Sequence, residues 1–495
     1  MNEWLSGSIL TLYYLILGTL ACYGVHRLVL VVTYWRTSRN VVPTPAPPAE
    51  WPVVTVQLPI FNEKYVAKRL IDAVCAMDYP REKLEIQVLD DSTDETQEII
   101  AQVVASWRDQ GFDIHHLHRK DRSGFKAGAL KAGQEKARGE LLAVFDADFV
   151  PTVGFLRSSV PHFQSAKIGM VQARWDHLNR DYSMLTKAQA ILLDGHFVVE
   201  HAARNRGGCF FNFNGTAGLW RRQAIEDAGG WEHDTLTEDL DLSYRAQLAG
   251  WEFLFLPDLV VPAELPAEIN AYKSQQNRWA KGSVQTARKL LGTVLRAPIS
   301  LHAKLEAFVH LTANFTFLLM VFLSVLIFPA MVLRRGEEMW KLLAIDLPLF
   351  CAATVSVLLF YAVSQRVPGT SGWRRLWQLP AVMGLGIGLA INNSRAVLSG
   401  LVRDGGVFHR TPKYCIEKRG DGWSNKKYRL PYDVTFVLES MLAVYFLICL
   451  VMAVRLEMWL SIPFLYLFLQ GYVHMFLLGI APMLRRSNRS SEASA

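Results

Sequence analysis

Residues 140–151 read ELLAVFDADFVP, an apolar run closed by two carboxylates, Asp146 and Asp148, with a single alanine between them. The first part, ELLAVFD (140–146), has the length and apolar content of a buried strand. Three similar runs precede it: VVTVQL (53–58), EIQVLD (85–90) and DIHHLH (113–118). Helical patterns over 64–77, 94–108 and 126–136 separate them. Strands alternating with helices predict a mostly parallel sheet with right-handed crossovers, hence an α/β domain. In such sheets ligands bind outside the carboxyl ends of the strands.

Those ends are polar and acidic. The first strand runs into PIFNE (Asn62, Glu63), the second into DDSTD (Asp90, Asp91, Asp94) and the fourth into Asp146 and Asp148. Carboxylates crowded in one crevice repel one another unless a cation joins them. Hard cations such as Mg²⁺ or Mn²⁺ take carboxylate oxygens and share them with substrate phosphates. SGFKAG (123–128) adds Lys126, small residues and a helix N-terminus, which suits a phosphate. Each motif has a plainer reading. Ser92 or Thr93 could simply cap a helix starting at Asp94, DAD could be a surface turn, and KAG is weak alone. Their convergence on one sheet edge favours a metal-dependent nucleotide site.

Downstream, TLTEDLDLSYRAQLAGWEF (235–253) has two open readings. Thr237 can cap a helix whose first turn carries Glu238, Asp239 and Asp241, as the helix dipole favours. Alternatively, one of these acids is a general base aimed into the crevice. CFFNFNGTAGLW (209–220) reads as a Gly-rich turn between strands. His115, His116 and His118 lie on a strand without a fourth ligand and read as structural.

The 495-residue chain is 51% hydrophobic and 20% charged, an average over two unlike regions. Residues 51–265 have a globular composition, while 9–35 and 305–483 contain runs that would be insoluble if exposed. About 20 apolar residues cross a bilayer, and 9–33, 307–333, 343–364, 432–454 and 458–482 meet that length. The first run is too long for a signal-peptide core and follows no basic residue, so it reads as a retained helix. Loop 402–430 carries eight Lys or Arg against three acids, and linker 365–375 carries Arg366, Arg374 and Arg375. Both belong on the cytoplasmic side, which requires 376–400 to lie flat in the interface or to re-enter. The expectation is five crossings, with the N-terminus outside and Arg485–Arg486 inside.

The formal charge of +7 is clustered beside the apolar runs, which points to a membrane surface and no nucleic acid. The six cysteines have neither metal nor redox spacing and read as reduced and mostly buried, with no zinc site. The implied organisation is a membrane helix (1–40), a catalytic α/β domain (41–265), interfacial helices (266–300) and two spans (301–365). An interfacial helix with a basic loop (366–430), two more spans (431–484) and a disordered tail (485–495) follow. TPAPPAEWP (44–52) is a stiff linker.

Taken in order, PIFNE, DDSTD, KAG, DAD, TED and QQNRW, flanked by membrane helices, resemble the family-two membrane glycosyltransferases, which include the cellulose, mannan and hyaluronan synthases. FHRTPKY (408–414), with Phe408, Thr411 and Lys413, looks like the cytoplasmic gating loop of cellulose and mannan synthases. LAGWEF and ELPAEINAYKSQQNRWAKG look closest to the mannan and glucomannan branch. The resemblance covers nearly the whole chain. It implies a GT-A type nucleotide-sugar-binding domain plus an α-helical transmembrane domain, in the plasma (inner) membrane with the catalytic domain cytoplasmic. It also implies inverting transfer of a hexose from UDP-glucose or GDP-mannose, with Mg²⁺ or Mn²⁺, onto a growing β-glycan.

Carried over residue by residue, the resemblance sets Asp91 or its neighbour Asp90 at the base, with Glu63 also in the nucleotide-sugar site. Lys126 meets the diphosphate, and Asp146 and Asp148 hold the metal. Asp239 is the general base, with Glu238 near the acceptor. Gln275 and Arg278 line the donor site and Trp279 stacks on the acceptor sugar. AYKSQQNRWAKG also reads as an interfacial helix, with Lys273, Arg278 and Lys281 at headgroups and Trp279 in the aromatic belt. Both roles are expected together. Two other functions compete: a non-processive transferase acting on a lipid acceptor, and a nucleotide-sensing transporter or channel. The expected spans hold few charges, Glu439 and Asp346 chiefly, which weighs against transport.

Overall fold

The computed structural model describes residues 3–40, 42–336, 339–366, 372–408, 410–423, 426–428 and 435–492. Strands β1 (Val54–Ile60), β2 (Leu84–Asp90), β3 (Asp113–His118), β4 (Leu141–Val144), β5 (Ile168–His177), β6 (Gly218–Arg221) and β7 (Glu252–Ala263) form one sheet. Its order is β3-β2-β1-β4-β6-β5-β7. The first four strands are the four expected ones and run parallel. β6 is antiparallel to both β4 and β5, and β7 pairs parallel with β5.

Both faces are covered, which is why β1, β2 and β4 read as largely apolar runs. Val56 and Leu58 of β1 pack with Leu70, Ile71 and Val74 of helix Ala67–Cys75 and with Ile100 and Val104 of helix Thr96–Asp109. On the other face Val144, Met170 and Trp220 meet Leu130 of helix Phe125–Lys136 and Leu242 of helix Glu238–Leu248.

Ser92 and Thr93 do not cap the next helix, as they could have done. That helix starts at Thr96 with no side-chain cap. Ser92 Oγ accepts the Asn62 N–H at 2.9 Å, and Thr93 N–H donates to Asn62 Oδ1 at 2.8 Å. The pair staples the end of β1 to the end of β2. Thr237 stands at the N-cap of Glu238–Leu248 but makes no cap bond; its hydroxyl lies 3.3 Å from that of Thr286.

Among the described residues, five helices are long and apolar enough to cross a membrane: Glu3–Thr37, Phe315–Leu333, Ala344–Ser364, Thr435–Arg455 and Trp459–Ile480. They agree with the expected runs, with one correction. Residues 307–314 are not part of a span, because Leu301–Thr312 is a separate helix. Its Glu306 is buried against the soluble domain, bonded to Arg204 at 2.8 Å and to His26 of the first membrane helix at 2.7 Å. An acid held by those partners cannot continue into hydrocarbon.

Segment 376–400 forms a bent pair, Arg375–Gly388 and Ala390–Val402, with 41° between them. Arg375 borders the soluble domain near Arg180 and Asp194. At the far end the Gly405 N–H bonds Asp234 O at 2.7 Å. Both ends of the pair therefore meet the same soluble domain.

The final helix extends to Glu492, over residues expected to be irregular, since no Gly or Pro follows Pro482 to stop it. Residues 493–495 and 431–434 of the expected segments lie outside the described residues. Three of the cysteines are buried, Cys75, Cys209 and Cys449; Cys22 and Cys351, on apolar helices, are exposed and Cys415 is half-buried.

Helix Ile269–Arg296 joins the two regions and carries the QQNRW stretch. At about 1.5 Å per residue it spans roughly 40 Å. Gly282 lets it press on the start of Glu238–Leu248, where a Cβ would lie 2.6 Å from the Thr237 side chain. On its other side Gly400 of the bent pair approaches Lys281 O, leaving no room for a Cβ (2.8 Å). A buried ion pair, Lys273 to Glu439 at 2.6 Å, ties it to the membrane helix Thr435–Arg455.

Candidate active site

The carboxyl ends of β1, β2 and β4 open into a cavity of about 1250 Å³ including open solvent. The cavity collects Glu63, Asp91, Lys126, Asp146, Asp148, Glu238, Asp239, Gln275, Arg278, Trp279, Phe408, Thr411 and Lys413. Residues far apart in sequence, from the strand ends, the QQNRW helix and the basic loop, thus converge. Asp90 is the exception. It lies behind the cavity, fully buried, with its carboxylate on His116 (2.8 Å), His118 (3.3 Å) and the Ser92 N–H (2.8 Å). Two histidines of β3, His116 and His118, are accounted for by that carboxylate, and His115 pairs with Asp113 at 2.7 Å.

Asp91 is held by Arg119 in a bidentate pair, Nε to Oδ1 at 2.8 Å and Nη2 to Oδ2 at 2.6 Å. Lys126 projects from the first turn of helix Phe125–Lys136, which begins after Gly124 in the left-handed region (φ 70°). Its ammonium bonds the Asp146 carboxylate and, at 2.9 Å, Gly215 O. The Asp146 N–H is held by Thr216 Oγ1 at 2.9 Å. Gly215 has φ 79°, and a Cβ there would reach 2.9 Å from Asp239 Oδ2 and 3.4 Å from Lys126 Nζ. Only glycine lets these three groups share one corner. Asn62, Phe125 and Ala217 adopt positive φ of 54°, 50° and 53° beside cavity residues, so backbone strain is concentrated at the site.

The basic loop straps over the opening. Lys413 bonds the Asp148 carboxylate and Glu264 O (2.7 Å), and Arg410 pairs with Glu63 at 2.7 Å. Phe408 lies under the Arg278 guanidinium, 4.3 Å from the ring centroid, and stacks near Phe125 at 6.1 Å. Composition and pattern could not reveal that Arg119, Arg122, Arg410, Asn214 and Glu264 belong to this neighbourhood. Each is recruited by chain topology; the excess of eight Lys or Arg over three acids in the loop was the only hint of Arg410.

Seven carboxylates and five Lys or Arg side chains line the cavity. Burial pushes Asp239 up to about 7, reinforced by the neighbouring Glu238 and opposed by Lys126. Burial likewise pushes Glu63 up to about 7 against the pull of Arg410. Arg278 is lowered by burial and supported by Glu238 and Asp146. The excess of hard oxygen donors fits a divalent cation: Asp146 and Asp148 offer two carboxylates at a strand end, the number Mg²⁺ commonly takes alongside phosphate oxygens. Among the described residues, the clusters of three possible metal ligands lie elsewhere, at Asp90–His116–His118 and Glu232–Asp234–Asp241. Lys289 already neutralises the second, at 2.8 Å from Asp234 and 3.0 Å from Asp241.

The profile of a family described as "Glycosyltransferase like family 2" matches residues 52–282. "Probable glucomannan 4-beta-mannosyltransferase 4" of Oryza sativa subsp. japonica is 34% identical over 418 residues, 81% of this chain and 73% of the relative. The chain belongs to the family-two glycosyltransferases. "Glucomannan 4-beta-mannosyltransferase 1" of Cyamopsis tetragonoloba is 39% identical over 62% of this chain, and "Glucomannan 4-beta-mannosyltransferase 2" of Arabidopsis thaliana 45% over 50%. The aligned parts span 60% and 47% of those two relatives. Mannosyltransferase PcManGT of Pyrobaculum calidifontis, solved in complex with GDP-Man and Mn²⁺, is 21% identical with a TM-score of 0.53, covering 78% of this chain and 99% of its own. That likeness shows the GT-A type fold of this family-two glycosyltransferase, with its parallel half-sheet.

Proposed function

We propose that this chain transfers a hexose, with GDP-mannose as donor, to the end of a β-linked glycan, with inversion at the anomeric carbon. The observation that carries the reading is the corner shared by Asp239, Lys126 and Gly215 beside the β4 acids. A carboxyl raised to about 7 is matched to proton abstraction near neutrality. The relatives' names favour mannose.

In the proposed reaction Asp239 takes the proton from an acceptor hydroxyl. The oxygen attacks the anomeric carbon, a new C–O bond forms, and the bond to the diphosphate breaks in the same in-line displacement. The nucleoside diphosphate leaves with the electron pair. Lys126 meets its growing negative charge, and Arg278 adds a buried cation on the same side. Asp146 and Asp148 would hold Mg²⁺ or Mn²⁺, which supplies further neutralisation of the diphosphate when bound. Asp91, on the rim next to β2, is the candidate contact for the base, and Trp279 offers a flat apolar face to an acceptor sugar.

The membrane helices fit a path for the polymer. The bent pair, with both ends at the soluble domain, supports a segment that dips into the bilayer face without crossing. The basic strap supports placing the catalytic domain on the cytoplasmic side of the cell membrane. Purified protein with Mn²⁺ and either radiolabelled GDP-mannose or UDP-glucose tests the reading. A large product sensitive to a β-mannanase is expected from GDP-mannose. A small lipid-extractable product would replace the polymer reading with glycolipid synthesis.

A further inference from the structure

A second cavity lies beside the catalytic one. Arg174 and Arg180 reach it from β5 and the turn after it, Arg375 from the start of the bent pair, and Arg419 from the strap. His177 forms part of both walls, facing this cavity and the catalytic one. It is 8% exposed, and neither ring nitrogen has a hydrogen-bond partner among the described residues. Burial, then the charge of Arg180, push its pKa down to about 4, so the imidazole is neutral with one N–H to donate. An orphaned buried donor and acceptor is costly unless something in the cavity engages it.

Four arginines and four carboxylates line the cavity, but the carboxylates' ion pairs go to Arg180, Lys187 and Arg69. Arg180 is fully engaged by Asp194, with two bonds of 2.8 Å. Asp176 also leans on Arg180 at 3.5 Å, Asp181 on Lys187 at 3.9 Å, and Glu417 on Arg69 at 2.9 Å. Arg174 and Arg419 each use Nε on a backbone carbonyl, of Pro257 (2.7 Å) and Asp181 (3.1 Å). Arg174, Arg375 and Arg419 make no ion pair among the described residues. Three guanidinium groups from three separate elements thus converge on one hollow with their terminal donors uncommitted to acids, the arrangement that recognises a planar-faced oxyanion.

We propose that this cavity is a second binding site, for a phosphate-bearing anion held by Arg174, Arg375 and Arg419, with His177 donating to it. Two sources offer that chemistry. Arg375 opens the apolar bent pair, next to the exposed Trp377, so an anionic lipid headgroup can reach the site from the membrane surface. A soluble phosphate can reach it from the solvent side. Because His177 also borders the catalytic cavity near Trp175 and Leu193, an occupant fixes that wall and raises turnover.

The test uses the full chain. Calorimetric titration with inorganic phosphate is run on wild type, Lys126→Ala and Arg375→Ala/Arg419→Ala, with thermal unfolding in detergent as the check that each variant is folded. Lipid co-purification and donor turnover are measured in nanodiscs of phosphatidylcholine with and without phosphatidylglycerol. A soluble ligand gives a phosphate isotherm that survives Lys126→Ala and weakens about tenfold or more in the double variant, as expected for lost charge-assisted bonds. A lipid ligand gives retention of phosphatidylglycerol that only the double variant loses. Arg375→Lys/Arg419→Lys should recover part of either effect. Phosphate and phosphatidylglycerol binding that is absent, or unchanged by the double substitution, overturns the proposal. These binding readouts do not depend on sugar transfer, so they stand or fall apart from the catalytic reading.

Discussion

The Lys413 ammonium rests on the Asp148 carboxylate and donates a second bond, of 2.7 Å, to Glu264 O. Lys126 does the same for Asp146. Each acid at the end of β4 therefore carries a lysine, one from the sheet domain and one from the strap. Lys413→Ala should raise the KM for the donor about tenfold, the loss expected for a bond to a charged group. It should also speed tryptic cleavage within 418–427, and a donor analogue should protect the wild type. Unchanged KM and unchanged cleavage would separate Lys413 from donor binding.

Asp239→Asn should keep donor affinity within about threefold and lower kcat by roughly 10²–10⁴, the usual contribution of a positioned base. Since burial raises the acid to about 7, it is protonated and inactive as a base below that pH. Wild-type kcat should fall as pH drops through about 7 and level off above it. The variant's residual rate should lack that inflection. A variant retaining the wild-type profile would assign the base elsewhere.

Chelation should abolish turnover, and Mn²⁺ or Mg²⁺ should restore it. Asp148→Asn should raise the metal concentration needed for half-maximal rate, with little change in thermal stability. Turnover that survives exhaustive chelation would remove the metal from Asp146 and Asp148.

The Lys273–Glu439 pair is buried at both ends, 4% and 0% side-chain exposure. Glu439→Gln leaves a buried ammonium facing an amide and should cost about 3–5 kcal/mol of stability. Lys273→Met/Glu439→Leu should recover most of it, because the desolvation of both charges disappears together. Thermal unfolding in detergent reads both variants. If the double variant is as unstable as the single, the pair contributes something other than charge balance.

The first half of the sheet was legible because β1 to β4 alternate with helices and β1, β2 and β4 are largely apolar. β6 was not, since its four residues, Gly218–Arg221, become a strand only by lying between β4 and β5. β7 contains Pro257 and Pro262 and shifts register against β5, so its pattern does not read as a strand locally. The acids and Lys126 could be placed by their position after strands. Their partners Arg410 and Glu264 could not, because they reach the cavity across long sequence separations. The same holds for Asp90: adjacent to Asp91 in sequence, it points the other way because successive residues of an extended chain face opposite sides.

The measurement that bears most directly on sugar transfer at this site is a paired assay on wild type and Asp239→Asn, purified with Mn²⁺ and radiolabelled GDP-mannose. GDP release and incorporation into a β-mannanase-sensitive product should both be present in the wild type and lost in the variant, while the variant still binds GDP-mannose. GDP-mannose binding without transfer in either form, or equal transfer in both, would contradict it.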